Sequence, residues 1–236
     1  MYPWGVEESF FFKVTYSPTA RRLHIYNYGC NFNCTWCYYR LKTPECSRRL
    51  SLNRIIDVID KLYNEGKLVK VHFLGGEPTI NPDLPTLIGY VKRLDVTVKL
   101  FTNGYNGVPH GVDEVNVSIR LMDDVKHKRH TGKSVKPILK NIVKSYIEGV
   151  RVSVTTVYIP DFNSEDIIAL AKFLSSIDGQ IPLHIIGYIP VPGAPWRKPS
   201  NYEVQLLANK CRRFLEHVSW SNVSSDQIKY DSLRLL

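Results

Sequence analysis

Long apolar runs are missing from this chain. No stretch approaches the ~18 consecutive apolar residues of a membrane-spanning helix. The first eight residues, Met1 to Glu8, carry acids where a secretory leader would carry basic residues and then an apolar run. Cysteine is scarce, five in 236 residues, which excludes the disulfide scaffold of a small secreted protein. Free thiols belong in a reducing compartment, so a cytoplasmic protein is expected. No linker rich in Gly, Ser or Pro interrupts the middle, and no segment repeats, so one domain is the economical expectation. Acids are in deficit, 22 against 31 basic residues, for a net charge of +9. Much of the excess falls at 120–140, where Arg120, Lys126, Lys128, Arg129, Lys133, Lys136 and Lys140 face only Asp123 and Asp124. A solvated basic face explains this better than a docking surface for an acidic protein or RNA, because no RNA-binding signature accompanies it. The seven histidines form no evident metal-ligand pair. His127 and His130 are expected to serve a local turn or the surface.

What is present is an alternation of strand and helix signals. Strands are expected at 23–26, 69–74, 96–101, 115–119, 150–159 and 182–187. Helices are expected at 51–65, near 83–93, from Pro137 to a stop at Gly149, after an Asn163 or Ser164 cap, and after the capping box Ser200–Glu203. The last helix carries Cys211 on its apolar stripe, which marks that thiol as structural. Six strand–helix units imply a parallel α/β sheet with right-handed crossovers. Six are too few for a closed eight-stranded barrel, so the expected fold is an open, partial barrel with a lateral mouth.

Three cysteines crowd into Gly29-Cys30-Asn31-Phe32-Asn33-Cys34-Thr35-Trp36-Cys37, spaced C-x3-C-x2-C. Three close thiolates suit a soft metal or an iron–sulfur cluster, and three is one too few to close a cubane. One iron would stay open to another ligand. A zinc site, with Cys46 or His24 as fourth ligand, is the alternative; Cys46 otherwise has no assignment. Two further motifs also follow strands, Gly75-Gly76-Glu77-Pro78 and Thr102-Asn103-Gly104. Loops at the carboxyl ends of parallel strands converge on one face, so the three segments are expected around one site. The glycines would let a ligand lie against the backbone and Glu77 would add negative charge. Either motif by itself also reads as a plain turn. The Pro-rich loop Tyr188–Arg197 is placed by the mouth, as a substrate contact or a rigid lid.

The pattern Cys30, Cys34, Trp36, Cys37, with Gly75–Pro78 downstream, resembles the signature of the radical S-adenosylmethionine (SAM) enzymes. Residues 102–104 and 122–132 most resemble the short glycyl-radical enzyme activases of the pyruvate formate-lyase activating type. The likeness implies an open (β/α)6 radical SAM domain at 22–217, an N-terminal extension at 1–21 packed on it, and a C-terminal tail at 218–236. It implies a [4Fe–4S] cluster on Cys30, Cys34 and Cys37, with SAM chelating the fourth iron. Gly75, Gly76 and Glu77 would receive the SAM amine, and Trp36 would lie near the adenine. Asn103, Ser118 and Arg120 would complete the cofactor pocket. An external flavodoxin- or ferredoxin-type donor would supply one electron, and the 5′-deoxyadenosyl radical would take a hydrogen atom from a glycyl-radical partner protein. Alternatives are a small-molecule, peptide or RNA substrate, as for a deazapurine-type synthase, or a non-catalytic Fe–S or zinc module. The chain departs from the activases at two acids that hold a monovalent cation there. Phe101 precedes Thr102, and Ser118-Ile119-Arg120 replaces Asp-x-Lys. The expectation is that the cation is absent and that Arg120 supplies the positive charge to the SAM carboxylate or ribose.

Overall fold

Alternating apolar residues build the sheet. In the computed structural model, which describes residues 10–39, 49–223 and 231–236, Leu23, Ile25, Val71, Phe73, Val98, Leu100, Val115 and Val117 are buried. Period-two burial puts these side chains on one face. The strands are β2 (Arg22–Asn27), β3 (Lys70–Gly75), β4 (Thr97–Thr102), β5 (Glu114–Ser118), β6 (Arg151–Tyr158) and β7 (Leu183–Gly187). They pair in parallel in chain order. All six expected strands are present within two residues of their expected ends.

Helices cover the apolar face. They are α1 (Leu52–Asn64), α2 (Leu84–Arg93), α3 (Asp124–Thr131), α4 (Lys136–Ile147), α5 (Ser164–Ser175) and α6 (Asn201–Cys211). Ile55 and Ile59 of α1, Leu87 and Val91 of α2, Ile138 and Ile142 of α4, and Leu170 and Leu174 of α5 join the sheet residues in one core. Each such side chain contributes about 1.5–3 kcal/mol on burial. Ser200 and Glu203 form the expected capping box at α6, and Cys211 is buried in the core. Helix α3 was not expected. It is short and lacks an apolar stripe, and it forms because Asp123 caps Lys126 N–H at 2.7 Å and Gly132, at φ +81°, closes it.

The sheet extends beyond the six units. Strand β1 (Phe11–Ser17) lies antiparallel to β2, β8 (Val218–Ser221) adds in parallel to β7, and β9 (Leu233–Arg234) adds antiparallel to β1. Among the described residues the order is β8-β7-β6-β5-β4-β3-β2-β1-β9, with β8 and β9 at the edges. The expected domain edges at 21/22 and 217/218 therefore fall inside one continuous sheet. The terminal segments contribute strands to it, a role that six strand–helix repeats did not reveal. Among the described residues, no helix is long and apolar enough to cross a membrane. Cys46 lies outside the described residues.

On the face away from the helices, Glu114 of β5 bonds Lys70 of β3 at 2.6 Å and Arg151 of β6 at 2.8 Å, with Lys99 of β4 at 3.3 Å. Burial alone would raise this carboxyl's pKa, but the hydrogen bonds from Lys70 and Arg151 and the nearby cations outweigh it and hold the group at about 2. An acid with a depressed folded pKa contributes stability above its unfolded value, about 4.3, and loses it as pH falls through the folded value. Wild-type stability to urea should thus decline between about pH 4.5 and pH 2, and Glu114→Gln should flatten that decline. Parallel pH profiles for the two proteins would contradict the assignment.

Candidate active site

Strands β2 and β3 end close together because glycine allows it. A Cβ on Gly76 would lie 1.9 Å from the Gly29 carbonyl oxygen, and one on Gly75, at φ +112°, would lie 2.6 Å from the Asn27 oxygen. The gap is closed by hydrogen bonds from Gly76 N–H to Asn27 O at 2.9 Å and from Glu77 N–H to Gly29 O at 2.8 Å. The expected reason for the two glycines was room for a ligand. Backbone-to-backbone approach is an additional and stricter reason.

Glu77 occupies a different position from the one expected. It is fully buried. Its carboxylate accepts from Thr79 N–H at 3.0 Å, the Thr79 hydroxyl at 2.7 Å, the Thr102 hydroxyl at 2.7 Å and Asn103 N–H at 2.6 Å. Burial pushes its pKa up and these four donors work against that rise. The side chain binds the β3 loop to the β4 loop instead of standing in the pocket.

The cysteine loop is held from both sides. Asn103 Nδ2 donates to Asn31 Oδ1 at 2.7 Å and lies 3.9 Å from Cys30 Sγ. Phe32 N–H reaches Cys30 Sγ at 3.4 Å. From α3, Thr131 O accepts Asn33 N–H at 2.8 Å and His130 O accepts Thr35 N–H at 3.1 Å. His127 is buried, bonds Lys133 O through Nδ1 at 2.6 Å, and sets its ring edge-on to Phe32. The expectation that this histidine serves a local turn agrees with its contacts. His130 bonds Thr35 and belongs to a ring cluster in which Trp36, Phe162 and Trp196 all meet, at 5.0–5.8 Å between centroids. Tyr188 joins through Trp196. These contacts fix the 188–197 loop against the cysteine loop.

A cavity of about 480 Å³ brings together Cys30, Cys34, Cys37, Gly75, Gly76, Phe101, Thr102, Asn103, Ser118 and Arg120. A second, of about 410 Å³, shares Cys34, Cys37 and Arg120 and adds Trp36, Val157, Ile186 and Tyr188. Every residue expected at the site lines one of the two except Glu77. Tyr39 lines both and was not foreseen, because an aromatic two positions beyond a cysteine motif carries no distinctive signal. Burial raises the Cys30 thiol to about 11, against the Phe32 N–H bond and the Arg120 charge that lower it, so ligation must displace its proton. His24 is tied into the sheet by Ser17 and His72 and does not line either cavity. Among the described residues, no three Cys, His, Asp or Glu side chains are grouped to hold a single metal ion. A cubane asks for something else, one thiolate on each of three irons. The donor set fits that demand: three soft ligands line one cavity. Beside them the Arg120 Nε is buried without a hydrogen-bond partner, and such a group calls for an acceptor.

The sequence pattern of the radical SAM superfamily matches residues 25–174. A protein of Methanocaldococcus jannaschii, named as a candidate glycyl-radical enzyme activating enzyme, is 32% identical over 220 residues, covering 88% of this chain and 84% of that one. A protein of Methanococcus maripaludis, named as a candidate GTP 3′,8-cyclase, is 28% identical over 210 residues, covering 85% and 69%. Among solved structures, Streptococcus suis SuiB bound to S-adenosylmethionine superposes with a TM-score of 0.66 at 16% identity, over 86% of this chain and 52% of that chain. This chain thus spans about half of SuiB. A domain of pyruvate-formate lyase-activating enzyme from Bacteroides vulgatus superposes with a TM-score of 0.52 at 19% identity, over 64% and 98%. At these identities the structural likeness concerns the fold.

Gly76→Ala should lower the melting temperature by more than about 5 °C, since the new methyl meets backbone that cannot swing aside, and should reduce iron bound per chain after reconstitution. Glu77→Gln, which turns one acceptor into a donor facing donors, should cost about 1–3 kcal/mol in chemical denaturation. Wild-type melting and iron content in the Gly76 variant would refute this account of the glycine pair.

Proposed function

The chain belongs to the radical SAM superfamily, and from that we propose that it is an activase that installs a glycyl radical on a partner protein. The observation that carries this reading is the match to the Methanocaldococcus jannaschii protein over most of both chains. The cofactors are a [4Fe–4S] cluster and SAM; when bound, they supply reductive cleavage of the sulfonium and abstraction of a hydrogen atom from the substrate.

The protein's own part is to hold, orient and exclude. Cys30, Cys34 and Cys37 would ligate the cluster, with Asn103 and the Phe32 N–H steadying Cys30. Gly75 and Gly76 would offer backbone to the SAM ammonium. Arg120, a permanently charged fork with a buried, unpartnered Nε, would meet the carboxylate or ribose. Ser118 and Asn103 would add polar contacts, and Trp36 with Tyr188 would wall the adenine side of the second cavity. Glu77 would act by keeping the loops after β3 and β4 in register. Phe101 sits where a cation-holding acid would, packed on the His72 ring and near Lys99, a setting unsuited to a further cation. The electron would come from an external flavodoxin- or ferredoxin-type donor.

A second reading keeps this chemistry and changes the substrate to a small molecule. The relative named as a GTP 3′,8-cyclase supports it.

Anaerobic incubation with SAM, dithionite and a glycyl-radical enzyme should yield 5′-deoxyadenosine by mass spectrometry and a protein-borne glycyl signal by electron paramagnetic resonance. Deoxyadenosine without that signal would favour the second reading, and no deoxyadenosine would end both. Cys34→Ala should lose cluster and cleavage together. Cleavage by wild type should be insensitive to potassium or sodium, and a steep rise on adding either would sink the role given to Arg120.

A further inference from the structure

The face of the sheet turned away from the helices is polar where a closed barrel would stack apolar layers. One register row runs Thr15, His24, His72, Lys99, Glu114, Arg151 across β1 to β6. Arg234 stands opposite Thr15, Lys13 opposite Tyr26 one row toward the cysteine loop, and Arg22 opposite Lys70 one row away from it. Lys70, Lys99 and Arg151 share the carboxylate of Glu114. Lys13, Arg22 and Arg234 have no side-chain carboxylate partner among the described residues. Lys13 rests over the Tyr26 ring at 3.8 Å, and Arg234 donates to Leu236 O.

Between these cations lie two polar atoms in need of partners. His72 is 6% exposed and Thr15 is 7% exposed. His72 Nε2 and Thr15 Oγ1 are both buried without a hydrogen bond. The surplus positive charge is felt locally. His72 is pushed down to about 3 by burial and then by His24, Lys99, Arg22 and Lys70. His24 is lowered by burial and Arg22, and Lys13 by burial and Arg234.

We propose that this inner face, centred on Thr15, His24 and His72 and flanked by Lys13, Arg22 and Arg234, binds an oxyanion of the substrate, a phosphate or a carboxylate. Such a group accepts from hydroxyl, imidazole and cationic donors at once, with Thr15 and His72 buried and Arg22 and Arg234 at the exposed rim. It would offset cations that have no side-chain carboxylate partner among the described residues. The inference rests on the reading above only in assigning the oxyanion to the substrate. Binding itself needs neither cluster nor SAM.

The test uses the full-length protein and two probes, pyrophosphate and citrate, with sodium chloride at matched ionic strength as the third arm. Binding is followed by calorimetry and by the imidazole proton resonances. At least one probe should bind and raise the His24 pKa, which chloride should not, and the tighter of the two identifies the phosphate or carboxylate source. Lys13→Gln with Arg22→Gln should weaken binding at least about tenfold. Arg129→Gln with Lys140→Gln, which removes equal charge from the exposed helices α3 and α4, should leave it unchanged. Equal weakening by both pairs, an unresponsive His24, or the same response to chloride overturns the proposal. Failure of SAM cleavage would touch only the functional reading, because none of these measurements depends on it.

Discussion

A carboxylate removed from water must be surrounded by donors, and the choice of donors fixes what it joins. Glu77 takes its donors from two segments, Thr79 in its own loop and Thr102 and Asn103 at the end of β4. Its N–H meanwhile reaches Gly29. One buried residue therefore locks the ends of β2, β3 and β4 into a single frame, and the three cysteines hang from the first of those ends. Asn103 repeats the arrangement one layer out, receiving through Oδ1 the N–H of Tyr105 and giving its Nδ2 to Asn31. Position at the site is thus set by hydrogen bonds to buried groups, with little left to the long side chains that line the pocket.

The parts legible in the sequence were those carried by periodicity and spacing. Leu23 and Ile25, or Val98 and Leu100, alternate with polar neighbours because one face meets helices and the other does not. The spacing of Cys30, Cys34 and Cys37 was equally legible, and the structure sets all three along one cavity. Less legible were features decided by partners distant in sequence. β9 is two residues long and exists only because β1 offers an edge. α3 has no apolar stripe and is stabilised by its caps and by the loop it braces. The inward turn of the Glu77 side chain depends on Thr102, 25 residues away, and no local pattern announces it. Gly76 looked like space for a ligand, whereas much of its value lies in the approach of Gly29.

Charge shows the same division. The surplus of basic residues is visible in composition and is dense at 120–140. Two of those cations are balanced locally: Lys128 pairs with Asp124 at 2.9 Å and Lys126 with Asp166 at 3.5 Å. Lys13, Arg22 and Arg234, which pair with no side-chain carboxylate among the described residues, sit alone in sequence, and only strand pairing gathers them. Strand register can thus gather charges that composition leaves scattered.

The ring cluster around Trp36 places two of the chain's four tryptophans in mutual contact, with Trp36 adjoining Cys37. An iron–sulfur centre absorbs across the range where indole emits. The protein should therefore grow dim as it takes up iron and brighten as the centre decays in air, giving an optical gauge of loading that needs no added dye.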